Sequence, residues 1–319
     1  MIQPRDHGGG LDAAIAQYGG ARSDWVDLST GINPVPYPIK DIPQEAWTAL
    51  PDQAAMDALL QAARQFWCVP GDASIIATHG ASALIARMPD IARSQGAYIP
   101  TPTYNEHAAA FHARAPKMDQ TDPQHDTHIF VHPNNPDGRF WTRDETNSAK
   151  LTIIDESFCD IAPNQSHIHR CDQPGTIILK SFGKFWGLAG LRLGFAIGNG
   201  LDTKSDATPT VSELLGPWSV AGPALDIGAK ALSDHQWAET TRLRLTNDAK
   251  RLDVLVQSNG GKVVGGTPLF RLYDVGDAAA WQDKLAKGHV WSRIFPYSKT
   301  WLRLGLPHPD KWAQLEAAL

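Results

Sequence analysis

The chain has 319 residues, of which 42% are hydrophobic and 20% charged, and its formal net charge is −5. This composition excludes a disordered chain and is sufficient for a large buried core. The weak negative charge and the lack of long charged runs argue against a surface for nucleic acid or a basic membrane-binding helix. No apolar run approaches the roughly 20 residues of a membrane span, so no membrane partner is expected.

The cysteines indicate a reducing environment. Cys68, Cys159 and Cys171 stand far apart, without a Cys-x-x-Cys pair. We therefore expect neither a disulfide framework nor a structural zinc site. The first 20 residues contain no apolar core of signal-peptide length, and the expected location is cytoplasmic.

The predicted elements begin after a Gly- and Pro-rich arm and loop at 1–40. A helix is predicted over 52–68, with Asp52 as its N-cap. Short apolar runs without polar alternation then alternate with helical stretches, which predicts strands buried on both faces. These runs are SIIAT (74–78), GAYIP (96–100), HIFVH (128–132), LTIID (151–155), TIILK (176–180) and RLGFAI (192–197).

Strands alternating with helices predict an α/β domain with a mainly parallel central sheet, which we place at 41–215. The pattern changes after residue 215. A long helix at 222–257 is followed by strand-like runs, a helix at 278–287 and a terminal helix from about 309, which predicts a smaller α+β domain at 216–319. Ligands of such sheets bind at the carboxyl ends of the strands, where several of the runs end in polar or Gly-rich turns.

Lys184 follows a predicted strand in the turn Ser-Phe-Gly-Lys, which places its amine at that edge. Such an amine can form an imine with an aldehyde if its surroundings keep it partly deprotonated. Arg192, eight residues later, could hold a phosphate. Taken alone, Lys184 is more simply a solvated loop lysine and Arg192 a strand-edge charge. A nucleotide P-loop is rejected, because Phe185 follows the lysine and the glycine spacing fails.

Two more polar residues follow predicted strands. Asp155, at the end of LTIID, could keep a pyridinium nitrogen protonated and so make the ring an electron sink. Taken alone, it is more simply a helix or turn cap. Asn135, in the tight turn of HPNNPDGR, could donate a hydrogen bond to a phenolate oxygen, although the turn itself needs no function.

Taken in order, GAS, TPTY, PNNPDG, IIDESF, SFGK and GLRLGF resemble the signatures of fold-type I enzymes, which depend on pyridoxal 5′-phosphate (PLP) and share the aspartate-aminotransferase fold. The resemblance covers almost the whole chain. It is strongest to the histidinol-phosphate aminotransferase branch and to the related L-threonine-O-3-phosphate decarboxylases of cobalamin synthesis. Each motif is weak alone, but six in this order and spacing identify the chain as a member of this fold type.

The resemblance implies a role for each motif residue. Lys184 would hold PLP as a Schiff base, Asp155 would pair with the pyridine nitrogen, and Tyr104 would stack on the ring. Asn135 would donate to the ring 3-oxygen, and Arg303 in WLRLGLP would clamp the substrate's α-carboxylate. The implied holders of the cofactor phosphate are Gly80, Ala81 and Ser82 at a helix N-terminus, with Ser181 and Arg192.

Three positions depart from the family's pattern. Leu50 stands where relatives often have a tyrosine that reaches the neighbouring subunit's cofactor phosphate, although a homodimer is still expected. Phe158 lacks a hydroxyl that aminotransferase relatives often place beside the ring oxygen. Gly183 replaces a frequent serine or threonine.

The reaction depends on which bond at Cα stands perpendicular to the conjugated ring, and the sequence does not show that angle. Resemblance to the decarboxylases at DHGGG with DLSTGINP, at PWSV (217–220) and at Phe158 favours loss of CO₂. We therefore predict decarboxylation of L-threonine O-3-phosphate to (R)-1-amino-2-propanol phosphate. An aminotransferase of the histidinol-phosphate type is the alternative, and a PLP-binding regulatory or carrier protein without turnover is a third reading.

The substrate's phosphate would be a binding handle. Its candidate holders are His7 in the N-terminal arm, the loop containing Ser29, Thr30 and Asn33, and Arg293. Taken alone, His7 is more simply a residue of a disordered arm and Arg293 a surface charge. A zinc site is also set aside, because one of its three candidate histidines adjoins the PNNP turn. The three are His125, His128 and His132.

Overall fold

The computed structural model describes residues 7–147, 149–203 and 209–319. The chain divides into two compact units. We call residues 37–135 and 140–238 the sheet unit. The terminal unit consists of the described residues up to 36, together with 136–139 and 239–319.

Eleven strands and eleven α-helices lie within the described ranges. The strands are β1 (Val26–Asp27), β2 (Ser74–Thr78), β3 (Thr127–Val131), β4 (Leu151–Asp155), β5 (Thr176–Ser181), β6 (Gly194–Gly198), β7 (Lys262–Thr267), β8 (Phe270–Asp274), β9 (Val290–Trp291), β10 (Arg293–Phe295) and β11 (Ser298–Gly305). The helices are α1 (Leu11–Tyr18), α2 (Gln44–Thr48), α3 (Gln53–Phe66), α4 (Ala81–Ala86), α5 (Met88–Ile91), α6 (Asn105–His112), α7 (Val211–Leu215), α8 (Gly222–Ser233), α9 (His235–Ser258), α10 (Ala278–Lys287) and α11 (Trp312–Ala318).

The sheet unit is built on a five-stranded sheet with the order β2-β6-β5-β4-β3. Strands β3, β4 and β5 are parallel, and β6 runs antiparallel to both β5 and β2. The apolar strand residues are buried on both faces, as their unbroken hydrophobic runs predict. They form one core with α4, α5 and α6, which includes Ile76, Leu84, Ile85, Phe111, Ile129, Ile153 and Ile177. The predicted α/β fold with a mainly parallel sheet is confirmed.

Two of the predicted strands need correction. Residues 96–100 form no strand: Tyr98 makes only an isolated bridge to His128. Pro100 at the end of this run has no backbone N–H to continue the pairing. Strand β6 begins at Gly194 rather than at 192. Arg192 is in the left-handed region with φ 52°, which an extended strand does not allow.

The helix predicted over 52–68 corresponds to α3, and the Asp52 carboxylate accepts a hydrogen bond from Ala55 N at 2.9 Å. The single helix predicted over 222–257 is wrong, because α8 and α9 are separate helices. Asp234 between them accepts from Trp237 N at 2.9 Å and so caps the start of α9. A cap residue provides a new start signal that apolar periodicity does not reveal.

The terminal unit contains a four-stranded antiparallel sheet with the order β10-β11-β8-β7. A separate parallel pair joins β1 to β9, so part of the predicted arm and loop at 1–40 is tied to the C-terminal part of the chain. The predicted boundaries at 40/41 and 215/216 stay predictions. In the structure, residues 216–238 belong to the sheet unit, where Gly222 in α8 approaches Ala46 too closely to leave room for a Cβ atom. No helix in the described ranges is both long and apolar enough to cross a membrane.

Candidate active site

The candidate cofactor residues of the sheet unit lie at one edge of its sheet. Asp155 ends β4, and Ser181 ends the neighbouring parallel strand β5 just before Lys184. Gly194 begins β6 and pairs with both Ser181 and Thr78. Since β6 is antiparallel, its first residue lies beside the last residues of β2 and β5. Side chains that are far apart in the sequence therefore meet at the carboxyl edge, where ligands of such sheets bind.

Asp155 is buried and anionic. Its Oδ2 lies 2.8 Å from His107 Nε2, and its Oδ1 accepts hydrogen bonds from Ser157 N and Ser157 Oγ at 3.0 and 2.5 Å. Burial alone would raise the pKa of Asp155, but the hydrogen bond and charge interaction with His107 and the bonds from Ser157 outweigh it and lower the pKa. A buried carboxylate held in its charged form is suited to keeping a ring nitrogen protonated.

His107 is a site residue that the sequence analysis missed. It lies in the first turn of α6, three residues after Tyr104, and is fully buried. A carboxylate can only accept, so His107 Nε2 must carry the hydrogen that it shares with Asp155. The spacing Tyr-x-x-His on a helix is the only signal in the sequence, and it does not reveal the partner of the histidine.

Arg192 and Gly80 form a close-packed pair at the same edge. A Cβ atom on Gly80, whose φ is 92°, would lie 2.7 Å from Arg192 Nη2. Likewise, a Cβ atom on Gly194 would lie 2.3 Å from Ala81 N. The two glycines therefore let the guanidinium and the start of α4 come together. Since α4 has only six residues, we attribute the attraction for an anion mainly to the Arg192 guanidinium.

Two lysines near the end of β5 have different surroundings. Lys180 is 2% exposed, and its Nζ lies 2.8 Å from Glu156 Oε2 and 3.3 Å from Asp160 Oδ1. Burial alone would lower the pKa of Lys180, but the two carboxylates outweigh it and raise the pKa, so this amine stays protonated. Lys184 is half-buried, with its Nζ 5.2 Å from the centre of the Phe158 ring. Its enclosure by two carboxylates makes Lys180 unsuited to act as a reactive amine, which leaves Lys184 as the candidate.

The remaining candidates of the sheet unit lie in loops at this edge. Tyr104 precedes α6, and its ring meets that of His107 edge-on, with the centroids 6.1 Å apart. Asn134 is buried; its Oδ1 accepts from Thr103 Oγ1 at 2.7 Å, and its Nδ2 donates to Pro102 O at 3.1 Å. Asn134 thus holds the turn in place, whereas the adjacent Asn135 is half-buried. Ser181 Oγ accepts a hydrogen bond from Gly183 N at 3.3 Å.

The terminal unit brings most of the candidate substrate residues together. Ser29 Oγ accepts from Gly9 N at 2.7 Å, and Trp291 Nε1 donates to Gly9 O at 3.0 Å. The arm is thereby fixed on both sides of Gly9. Arg293 Nη1 donates a hydrogen bond to His7 O. His7, Ser29 and Arg293 therefore lie close together, although they are up to 286 residues apart in the chain.

Arg303 lies in the same cluster. It is 5% exposed, and its Nη2 donates to Ser29 O at 2.7 Å. Burial is the largest cause that lowers its pKa, to about 10, with a contribution from the nearby Arg293. The guanidinium thus remains charged at neutral pH. Asn33 is buried, and its Oδ1 accepts hydrogen bonds from Arg244 Nη2 at 2.6 Å and from Val35 N at 3.1 Å.

One group of three possible metal ligands occurs in the described part of the chain: His132, Glu156 and Cys159. Both ring nitrogens of His132 are already used, since Nε2 lies 2.9 Å from Gln165 O and Nδ1 accepts from Trp141 N at 3.1 Å. Glu156 is neutralised by Lys180, and burial raises the pKa of the Cys159 thiol well above its ordinary value. These ligands are engaged by protein groups or protonated, so the cluster is better explained as part of the core.

Comparisons with known proteins identify the family. The family model for aminotransferase class I and II matches residues 23–318. The chain belongs to this family. It is 36% identical to a threonine-phosphate decarboxylase from Sinorhizobium sp, covering 97% of this chain and 95% of the relative, and 36% identical to one from Pseudomonas aeruginosa, covering 98% and 97%. The histidinol-phosphate aminotransferase from Sinorhizobium meliloti, solved in complex with PLP, shares the fold with a TM-score of 0.78 at 16% identity, covering 100% of this chain and 95% of the other.

Membership of this family makes the chain a PLP-dependent enzyme. The residues at the sheet edge fit the cofactor. Asp155 supplies a buried anion of the kind that a pyridinium nitrogen requires. The Arg192 guanidinium lies so close to the backbone of Gly80 that no side-chain atom would fit there, and it supplies a cation suited to the cofactor phosphate. A half-buried lysine follows the strand next to Asp155.

Proposed function

We propose that the chain is a threonine-phosphate decarboxylase, which converts L-threonine O-3-phosphate to (R)-1-amino-2-propanol phosphate and CO₂. The observation that carries the proposal is 36% identity, over almost the full length of both chains, to two relatives of that name. The local geometry supports it, because the sheet edge fits PLP and the terminal unit gathers cationic and polar groups suited to an anionic substrate.

In the proposed enzyme, Lys184 binds the cofactor and Asp155 holds its ring nitrogen in the protonated form. His107 keeps the Asp155 carboxylate in place through the 2.8 Å hydrogen bond. Tyr104 covers the ring and Asn135 donates to its 3-oxygen. The cofactor phosphate is held by Arg192 and Ser181 and by the backbone at Gly80, Ala81 and Ser82.

The substrate would be held through its two anionic groups. We assign the α-carboxylate to Arg303, whose charged guanidinium is buried and fixed by Ser29 O at 2.7 Å. Because this anchor restricts its rotation, Arg303 can fix the direction in which the carboxylate stands. His7 and Arg293 are assigned to the substrate phosphate, with Asn33 and Ser29 as further polar contacts.

Decarboxylation breaks the bond between Cα and the carboxylate carbon and leaves its electron pair at Cα. Bound PLP supplies the electron sink for that pair. The chain must then deliver one proton to Cα, and we assign this step to the Lys184 amine. Lys180 is unsuited to it, because its ammonium is buried against two carboxylates.

The assay is incubation of PLP-loaded protein with L-threonine O-3-phosphate, followed by proton and phosphorus NMR. The expected result is (R)-1-amino-2-propanol phosphate without any added 2-oxo acid. L-Threonine without the phosphate is the control substrate, and we expect much slower turnover of it. Amino-group exchange between histidinol phosphate and an oxo acid, with no decarboxylation product, would show that the enzyme is an aminotransferase instead.

We further propose that the enzyme is a cytoplasmic homodimer. Three large apolar side chains near α2 are exposed: Ile39 by 54%, Trp47 by 64% and Leu50 by 67%. Several large exposed apolar side chains within one short segment are typical of a subunit interface. The three free cysteines fit a reducing compartment. Light scattering after size-exclusion chromatography should give twice the mass of the chain, and Leu50→Asp should lower it; a monomeric wild-type protein would contradict the proposed dimer.

A further inference from the structure

Two chain segments leave the sheet edge side by side, one after Asp155 and one after Ser181. The last backbone bond between them runs from Glu156 N to Leu179 O at 2.9 Å. Beyond it, the separation of the segments is set by side chains. This matters because Asp155 and Lys184, on different segments, are the residues assigned to opposite parts of the same cofactor.

Asp160 connects the two segments. Its Oδ2 accepts a hydrogen bond from Trp186 Nε1 at 3.1 Å. Its Oδ1 accepts from Trp67 Nε1 at 2.9 Å and lies 3.3 Å from Lys180 Nζ. Asp160 is 4% exposed, so each of these contacts is made away from water and is costly to break. Trp186 stands two residues after Lys184, and Asp160 five residues after Asp155.

The rest of the turn around Lys184 is also fixed. The Trp186 ring is stacked between Phe182 and Trp237, with interplanar angles of 10° and 13°. The Trp186 carbonyl accepts from Tyr37 N at 2.9 Å. Phe182, Phe185 and Trp186 are completely buried, while Lys184 between them is only half-buried. The turn therefore has a rigid base from which the lysine side chain projects.

We propose that Asp160 is a positioning residue for Lys184, acting through the indole N–H of Trp186. The proposal rests on the proposed role of Lys184 in binding PLP. Asp160 fixes the turn that follows β5 relative to the segment that follows β4, and it thereby sets the distance between the lysine amine and the Asp155 carboxylate.

Two tryptophans allow a matched test. Trp186→Phe and Trp67→Phe each remove one indole N–H from the same carboxylate and keep an aromatic ring, and both parent residues are buried. Only Trp186 belongs to the Lys184 turn, because Trp67 caps the end of α3. A purely structural role of Asp160 predicts similar effects of both substitutions, whereas a positioning role predicts that Trp186→Phe alone changes the properties of the lysine.

The first readout uses the full-length apoprotein. Trace acetylation with acetic anhydride at several pH values, followed by peptide mass spectrometry, gives the pH profile of Lys184 reactivity. The second readout is the dissociation constant of PLP. We expect Trp186→Phe to displace the Lys184 profile and to weaken PLP binding on the order of tenfold, the effect of about one lost hydrogen bond to a charged group. Trp67→Phe should stay within about twofold of the wild type.

Asp160→Asn removes the same hydrogen bond from its acceptor side, and it serves as the test if Trp186→Phe does not fold. Asparagine can keep one oxygen toward Trp67 and Lys180 but loses the second acceptor facing Trp186. It should reproduce the change in Lys184 reactivity. Equal effects of the two tryptophan variants, or an unchanged Lys184 profile in Asp160→Asn, would overturn the positioning role. If borohydride reduction of the wild-type protein with PLP labels a residue other than Lys184, the proposed function of Lys184 fails instead.

Discussion

Lys180 offers the most stringent test of how the buried charged residues of the sheet unit contribute to stability. Its ammonium is 2% exposed and lies within 3.3 Å of the carboxylates of both Glu156 and Asp160. Lys180→Met keeps most of the volume and the apolar stem but removes the charge. Two buried carboxylates then lose their shared cation, and we expect a large loss of stability.

The structure sets the size of that loss. Removing one partner of a buried ion pair costs about 3–5 kcal/mol. Here one cation serves two anions, so the upper part of that range is expected. Because the free energy of unfolding of a typical domain is only about 5–15 kcal/mol, the variant should be severely destabilised at neutral pH. Hydrogen bonds from Ser166 Oγ and His167 N to Glu156, each 2.6 Å long, keep the loss from being greater.

The effect should also depend on pH. In the wild type, burial alone would raise the pKa of Glu156, but Lys180 and the hydrogen bonds outweigh it and lower the pKa. Without Lys180, the folded-state pKa of the carboxyl should rise above its unfolded value. The folded state then binds the extra proton, so stability is retained at low pH and lost as pH rises through the new pKa. The deficit of Lys180→Met should therefore be smaller at pH 5 than at pH 8.

Urea unfolding at both pH values measures this deficit. Lys150→Met is the control, because it also removes a lysine from a 2.8 Å ion pair, but one whose side chains are 79% and 66% exposed. We expect it to cost less than about 1 kcal/mol. The double variant Lys180→Met with Glu156→Gln should recover part of the loss. If Lys180→Met unfolds within about 0.5 kcal/mol of the wild type at pH 8, the reasoning about this buried cluster is wrong.

Three further predictions concern the site and its surroundings. Lys184→Ala should abolish the PLP adduct that borohydride reduces, whereas an adduct that persists in the folded variant would refute its role. Arg303→Lys should lower kcat/KM for L-threonine O-3-phosphate by about 10–100-fold, because lysine cannot bind a carboxylate in the bidentate mode; unchanged kinetics would remove Arg303 from the site. Burial lowers the pKa of His132 to about 4. The unfolded protein therefore binds more protons at this residue than the folded protein does, and the wild type should lose on the order of 3 kcal/mol of stability as pH falls from about 6.5 to 4. His132→Gln should reduce this pH dependence in urea unfolding and the exposed His169→Gln should not; equal slopes for both variants would contradict the assignment.

The fold could be predicted from the sequence because the patterns that indicate its strands are local. Unbroken apolar runs at 74–78, 151–155 and 176–180 have to be buried on both faces, and they correspond to β2, β4 and β5. The run at 96–100 has similar composition but ends in proline and forms only a bridge. The prediction of one helix over 222–257 is wrong for the same kind of reason. The apolar periodicity continues on both sides of Asp234, but the Asp234 side chain caps the start of a new helix there.

The hydrogen-bond partners of the candidate site residues could not be predicted from the sequence in this way. Asp155 and His107 are 48 residues apart, and Asp160 joins Trp67, 93 residues before it, to Trp186, 26 residues after it. No local pattern encodes such pairs, because they form only when strands and helices distant in the chain are packed together. The sequence indicates which residue types are suited to chemistry, but not what holds them in place.

The two lysines of β5 and its turn show why this distinction matters for function. Both are followed by a small or aromatic residue, and either could be taken for a reactive amine from residue type alone. The structure separates them by their surroundings: Lys180 is enclosed with two carboxylates that keep it protonated, while Lys184 is half-buried beside the Phe158 ring. The same Asp160 carboxylate binds Lys180 and fixes the turn through Trp186. One buried anion thus stabilises the charge of the unreactive lysine and anchors the segment that carries the candidate reactive one, so substitution of Asp160 should alter both folding stability and the reactivity of Lys184.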